Sequence, residues 1–265
     1  MINALIHLYF YISFQINKLN NLIKNQYFIF IFFVIFSAIP FIGVLFDYSI
    51  INYSIGLFTG NSHYFFDSFY TWNSNIFGGN NSGSLWGIFP LDLINFLLTN
   101  GIGLNVHISQ FILLSSLFLI GFISFFFLVK ELFKPEKINN LAILLGSFFF
   151  IYNLYVITYG SSYHFMIAYI FLPLQFHLFT KGLNNNQLIK YAILLSIINL
   201  ITFGINLVFG IISSFILLSY GLWTVFVLKK TYFKRLSKFV SLFLVITLLI
   251  IFFWMTALIF SNLIN

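Results

Sequence analysis

The chain has 265 residues, of which 61% are hydrophobic and only 6% are charged, and its formal net charge is +7. Soluble domains carry about 25% charged residues, so this composition excludes a soluble enzyme, a cytosolic nucleic-acid-binding module and a secreted disulfide-rich domain. Cysteine is absent, which also excludes thiolate nucleophiles and cysteine-ligated metals. The sequence predicts an all-α, polytopic membrane protein.

Seven apolar stretches are candidates to cross the bilayer, because a membrane helix needs about 20 residues at 1.5 Å per residue. The third and fourth are weaker candidates because they are short. The fifth and sixth meet near Asn206, where a tight hairpin and a broken helix both agree with the sequence. The predicted spans are Gln26–Phe46, Val106–Val129, Asn139–Ile157, Tyr163–Thr180, Leu188–Ile205, Leu207–Leu228 and Phe239–Phe260.

The basic residues predict the orientation. Eleven of the 12 lie in four regions, which are the segment before the first span and those following the second, fourth and sixth, and the twelfth, Lys190, is at the start of the fifth span beside the third of these regions. With seven spans these regions share one side, which the positive-inside rule places in the cytoplasm, leaving the C-terminus outside the cell membrane. The positive charge is thus explained by topology and anionic lipid headgroups, without a nucleic-acid partner.

The sequence predicts two regions, with the boundary between residues 25 and 26. Residues 1–25 form a cytoplasmic segment whose first 16 residues are too short to span; an interfacial helix is favoured there, with a signal peptide as the alternative. Residues 26–265 form a single transmembrane domain.

The predicted exterior loop, residues 47–105, is far longer than the other connections and holds three of the five acidic residues. Its aromatic content argues against disorder, and ordered loops of this length are usually functional. We expect two short interfacial helices within it. Ser62 is the predicted N-cap of a helix extending to Ile76, with Phe65, Phe69 and Trp72 on one apolar stripe. A second helix is predicted to start at Pro90 and end near residue 101.

Candidate chemistry is concentrated in this loop. Asp47 follows the first span and suits a general base or a ligand for substrate or metal, although a solvated helix end is the simpler interpretation. His63 and Asp67 are spaced for a local pair. With His107 and His164 also on the exterior side, a divalent metal site is conceivable, but no pair of histidines has ligand spacing. The candidate substrate-binding residues are His63, Asp67, Tyr70, Trp72, Asn73 and His164.

Several reaction classes lack any sequence support. The chain contains no G-x-S-x-G, H-E-x-x-H, Walker A or glycine-rich dinucleotide motif. It also has no acidic residue in the middle of a predicted span, where ion-coupled transporters usually carry one. We therefore expect no cofactor.

One segment resembles a known family. Tyr70-Thr71-Trp72-Asn73, followed by Phe77-Gly78-Gly79-Asn80 and then Pro90, is similar to the first exterior loop of GT-C superfamily glycosyltransferases. The likeness is to their YfhO-like and arabinofuranosyltransferase-like branch, found in archaea and bacteria. This resemblance implies a seven-helix module, a polyprenyl-phosphate-linked sugar donor and chemistry on the exterior face. It also implies that Asp47 is the catalytic base.

The resemblance has two departures. Relatives often have a glycine before the aspartate and a proline shortly after it, whereas this chain reads Phe46-Asp47-Tyr48. Many members also continue beyond the point where this chain stops, at Asn265. We therefore expect the N-terminal module of a longer protein, half of a split enzyme, or a degenerate member.

The leading functional prediction is sugar transfer from the lipid-linked donor to a glycan, lipid or protein acceptor. Tyr and Trp rings of the loop would stack on the sugar, and Asn side chains would bond its hydroxyls. The alternatives are a transporter or lipid-flippase subunit and a non-catalytic membrane scaffold. A transporter needs polar groups near the midplane of the membrane, and the sequence offers only Asn153, Gln175, Asn199 and Asn206 for that role.

Overall fold

The computed structural model describes residues 26–46, 72–73, 80–81, 89–133, 139–153, 156, 163–205, 207–228 and 232–264. We number eight helices in chain order within these ranges. Three of them change pitch: α1 continues as a 3-10 helix (Ile39–Phe46), and α2 and α7 continue as π-helices (Leu97–Gly101 and Thr224–Leu228). The helices are α1 (Gln26–Ala38), α2 (Phe89–Phe96), α3 (Val106–Leu132), α4 (Asn140–Ile151), α5 (Tyr163–Asn184), α6 (Leu188–Ile205), α7 (Leu207–Trp223) and α8 (Tyr232–Ile264).

Each of the seven predicted apolar stretches overlaps one of these helices, and α3, α5 and α8 extend beyond the predicted bounds. Among the described residues, four helical segments are long and apolar enough to cross a membrane, while α4 and the apolar part of α6 are shorter. The bundle is therefore helical, with four helices suited to membrane insertion. These four are Tyr27–Phe46, Val106–Leu132, Met166–Asn184 and Gly210–Val227.

The third span was predicted to be Asn139–Ile157, but its helix, α4, ends at Ile151. The Asn153 amide donates to the Phe150 carbonyl at 2.6 Å, and its side-chain oxygen accepts the Val156 backbone N–H at 3.0 Å. Asparagine side chains compete in this way with helical backbone bonds. The 12 residues of α4 extend about 18 Å, which is less than the hydrocarbon thickness of about 30 Å.

A contact between α6 and α7 is not compatible with one straight helix through both segments. The Asn199 amide on α6 lies 3.4 Å from the Ser214 hydroxyl on α7. In one straight helix these positions would be about 22 Å apart along the axis. The contact is as expected of a hairpin between the two helices.

The prediction of a loop helix through Ile76 is wrong at its C-terminal part. Trp72 and Asn73 form a short strand that pairs antiparallel with Asn81 and Asn80. A paired, extended residue cannot continue a helix, and the intervening residues 74–79 include Gly78-Gly79, which favours a turn. Trp72 therefore does not belong to the predicted apolar stripe, whose other members lie outside the described residues.

A helix is present where the second loop helix was predicted, and its interfacial position stays a prediction. α2 begins at Phe89, immediately before Pro90, and the helical segment continues to Gly101. Its Asn95 side chain accepts a hydrogen bond from the Ser109 hydroxyl of α3 at 2.5 Å, and both residues are buried. This contact holds the end of the loop against the bundle.

Two apolar cores hold the bundle together. In the first, α3 packs against α1, α4 and α5, with the rings of Phe33 and Phe122 stacked at 5.1 Å between centroids. In the second, α6 packs against α5, α7 and α8 around Leu195 and Phe239. Helix α5 contributes to both cores and joins the two halves.

Contacts made by charged residues of three helices define one end of the bundle. Glu131 of α3 lies 3.6 Å from the Lys181 ammonium of α5, and the Arg235 guanidinium of α8 donates to the Asn185 carbonyl just after α5. We call this the basic end. The end that carries Asn153 and Met166 is the opposite end.

Candidate functional site

The residues predicted to form the site fall largely outside the described residues. Four of them are not described at all, namely Asp47, His63, Asp67 and Tyr70. For Trp72, Asn73 and His164 the structure describes only the backbone. The first two form the strand described above, and His164 is the second residue of α5. Their arrangement around a substrate stays a prediction.

A groove between α5 and α7 is a feature of the described region that suits a ligand. Its volume is about 480 Å³, within the range of about 300–1,000 Å³ that is typical of small-molecule sites. Most of its wall is apolar. It is lined by Asn153, Ala168, Tyr169, Leu172, Ile212, Ser213 and Ile216.

Hydrogen bonds fix the polar part of this groove. The Asn153 amide donates to the Tyr169 hydroxyl at 2.6 Å, and that hydroxyl lies 3.2 Å from the Phe150 carbonyl, to which it donates. The Tyr169 ring also stacks on Phe150, with centroids 4.5 Å apart. Because two helices and a ring stack hold these groups, the polar corner is preorganised.

The groove lies near the opposite end of the bundle and opens sideways. Its residues on α5 and α7 are within six residues, about 9 Å, of Met166 and Gly210, where the two membrane-spanning segments begin. The side chains of Ile212 and Ile216 are 47% and 36% exposed, so this wall faces the surroundings of the bundle. An apolar molecule in the membrane could therefore enter without crossing an aqueous phase.

A second group of polar side chains lies in the middle of the bundle. The Gln175 amide donates to the Asn199 side-chain oxygen at 3.2 Å and to the Thr202 hydroxyl at 3.0 Å. All three residues are buried, and the Gln175 side-chain oxygen has no hydrogen-bond partner among the described residues. We call Gln175, Asn199 and Thr202 the central polar cluster. Burial of an unpaired amide oxygen is costly, which makes this cluster a candidate for function rather than stability.

Metal binding finds no support in the described part of the chain. There, no three His, Asp or Glu side chains come close enough to share an ion. Asp47, His63 and Asp67, which entered the metal hypothesis, lie outside that part.

Sequence reasoning identified Asn153, Gln175 and Asn199 as polar residues at membrane depth but missed their partners Tyr169 and Thr202. Tyrosine and threonine are ordinary in apolar helices, so nothing local distinguishes these two. Their importance depends on contacts between residues 16 and 27 positions apart. A search for polar residues on facing helices would have found them.

Comparison with known proteins gives no relative. The chain matches no protein-family model, no curated protein sequence and no solved structure.

Proposed function

We propose that the chain is a glycosyltransferase-like membrane protein that takes its sugar from a polyprenyl-phosphate-linked donor. The observation that carries this proposal is the groove between α5 and α7, which is apolar, opens sideways and has a fixed polar corner at Asn153 and Tyr169. A polyprenyl chain is an apolar membrane component, and a groove of this kind suits one of its segments.

The proposal includes seven spans with the N-terminus in the cytoplasm. The basic end would then face the cytoplasm, and the groove would open to the outer leaflet beside the exterior loop. The Glu131–Lys181 and Arg235–Asn185 contacts support this arrangement, because they bring charged residues of three helices to one end.

In the proposed reaction, Asp47 removes the proton from an acceptor hydroxyl, whose oxygen attacks the anomeric carbon of the donor sugar. The bond from that carbon to the phosphate oxygen breaks, the configuration inverts, and polyprenyl phosphate leaves with the bonding electrons. Loop residues His63, Asp67, Tyr70, Trp72 and Asn73, together with His164, would hold the sugar. His164 lies four residues before Ala168 of the groove, about one helical turn.

Filling the groove tests the proposal. Ser213 lines the groove and is buried, so Ser213→Leu places a larger apolar side chain in it. Membranes containing this variant should show weaker binding of a radiolabelled polyprenyl-phosphate sugar and slower sugar transfer than wild type. Ser219→Leu makes the same substitution at an exposed position of α7 and should leave both unchanged. Equal donor binding by all three proteins would contradict the assignment of the groove.

The central polar cluster favours transport as a second candidate function. A transporter needs polar groups near the midplane, and Gln175 lies 12 residues, about 18 Å, into α5. Asn199→Leu removes the acceptor for the Gln175 amide. It should abolish uptake or lipid flipping in proteoliposomes if the chain is a transporter, and should leave sugar transfer intact if it is an enzyme.

A further inference from the structure

A smaller groove lies between α1 and α3, far from the one assigned to the donor. Its volume is about 130 Å³, and its wall includes Ile29, Phe33 and Phe126. The outer edges are formed by Phe30 and Phe127, whose side chains are 51% and 50% exposed. This groove therefore opens towards the surroundings of the bundle, where a lipid acyl chain can reach it.

Lys130 gives the groove a charged mouth. It is the only charged residue among those that line this groove, and its ammonium lies 4.5 Å from the centroid of the Phe126 ring. The residue is near the C-terminus of α3, next to Glu131, so the mouth is at the basic end. A lysine in this position lays its stem along apolar surface and keeps its ammonium at the headgroup level.

The charge of Lys130 is not neutralised by its neighbour. The Glu131 carboxylate faces α5, where one of its oxygens lies 3.0 Å from His177 Nδ1 and 3.6 Å from the Lys181 ammonium. Among the described residues, the Lys130 ammonium contacts the face of the Phe126 ring. A cation–π contact leaves the ammonium free to bind an anion from the other side.

We propose that this groove is a binding site for an anionic phospholipid of the leaflet at the basic end. One acyl chain would lie against Phe30, Phe33 and Phe127, and the headgroup phosphate would pair with Lys130. The apolar wall alone would accept any lipid, whereas an ammonium that has no carboxylate partner among the described residues selects a headgroup with net negative charge. This site is independent of the proposed sugar transfer.

The test uses a fluorescent reporter in the groove wall. Phe30→Trp places an indole at a half-exposed lining position, and the full-length variant is reconstituted with phosphatidylcholine or with equal parts of phosphatidylcholine and phosphatidylglycerol. Brominated phosphatidylglycerol should quench the reporter more than brominated phosphatidylcholine does. Because a lysine near the membrane surface contributes about 1 kcal/mol, the apparent preference should be about fivefold. Spectra of the protein without the reporter are subtracted.

Three further variants identify the source of the preference. Adding Lys130→Gln should abolish it, adding Lys130→Arg should retain it, and adding Lys190→Gln, at an exposed position at the start of α6, should not change it. Equal quenching by both lipids in the reporter protein would overturn the proposal, as would a preference that survives Lys130→Gln. Protection of the reporter from both lipids, as in a groove covered by a second copy of the chain, would also overturn it.

Discussion

His177 Nδ1 of α5 lies 3.0 Å from a carboxylate oxygen of Glu131 on α3, and the same oxygen is 3.6 Å from the Lys181 ammonium. The Glu131 side chain is only 14% exposed. This carboxylate therefore joins the two helices that the first apolar core also joins, but it does so at the basic end. A partly buried acid with two basic neighbours is a point where a single change should loosen the bundle.

We predict that Glu131→Gln destabilises the protein by about 1 to 3 kcal/mol, since it leaves the partly buried Lys181 and His177 without a counter-charge and a polar group that loses its partner costs about this much. The variant keeps the shape of the side chain and removes its charge. Thermal unfolding in detergent, followed by circular dichroism, measures the effect. Lys190→Gln removes an exposed charge at the same end and should stay within about 0.5 kcal/mol of wild type. Equal melting of the two variants would contradict the role of Glu131.

Close packing between α5 and α8 gives a second prediction. A Cβ atom at Gly182 would overlap the ring of Phe239, which is fully buried. Gly182→Ala should therefore destabilise the protein by about 1 to 3 kcal/mol, the usual cost of overpacking a core.

Gly146→Ala is the matched control for that substitution. A Cβ atom at Gly146 of α4 would lie 3.5 Å from the Phe125 ring, an ordinary contact distance. Alanine is a better helix former than glycine by about 1 kcal/mol, so this variant should be as stable as wild type or more stable. If the two variants shift the melting temperature in the same direction, the packing of α5 on α8 is not as described.

Hydropathy located seven of the eight described helices, because apolar stretches separated by Lys and Asn leave little choice of position; α2 was predicted instead from Pro90. Two elements escaped it for local reasons. Asn153 ends α4 through its own side-chain bonds, and the pairing of Trp72 with Asn81 depends on a partner nine residues away. The candidate residues from His63 to Tyr70 were selected because they share one face of a predicted helix. That helix does not extend to Trp72, which is in a strand.

The groove and the charged contacts could not be predicted in the same way. Glu131 and Lys181 are 50 residues apart, and their meeting depends on how α3 packs against α5. The groove is a gap between α5 and α7, and hydropathy contains no information about gaps. For the candidate site, the sequence therefore predicted only that polar residues such as Asn153 lie at membrane depth.

The predicted topology can be tested with single cysteines, because the chain has none of its own. Lys134→Cys and Lys234→Cys should be protected from an impermeant maleimide in intact cells, whereas Ser82→Cys should be labelled. Permeabilised cells give the control for accessibility, since all three positions should then react. Labelling at position 134 with none at position 82 would refute the orientation proposed for the seven spans.

The last prediction concerns Asp47, which directly follows the helical segment that ends at Phe46. If Asp47 is the general base, Asp47→Asn should slow sugar transfer by about 10²- to 10⁴-fold, the usual contribution of such a group. Donor binding and expression should change little, because the substitution is nearly isosteric and affects proton removal from the acceptor. Asp92→Asn is the matched control. Asp92 lies in the first turn of α2, where a negative charge contributes only about 0.3 to 1 kcal/mol through the helix dipole. Its transfer rate should stay within about fivefold of wild type. Equal effects of the two substitutions would remove the catalytic role from Asp47, and the transport function proposed for the central polar cluster would then be the better interpretation.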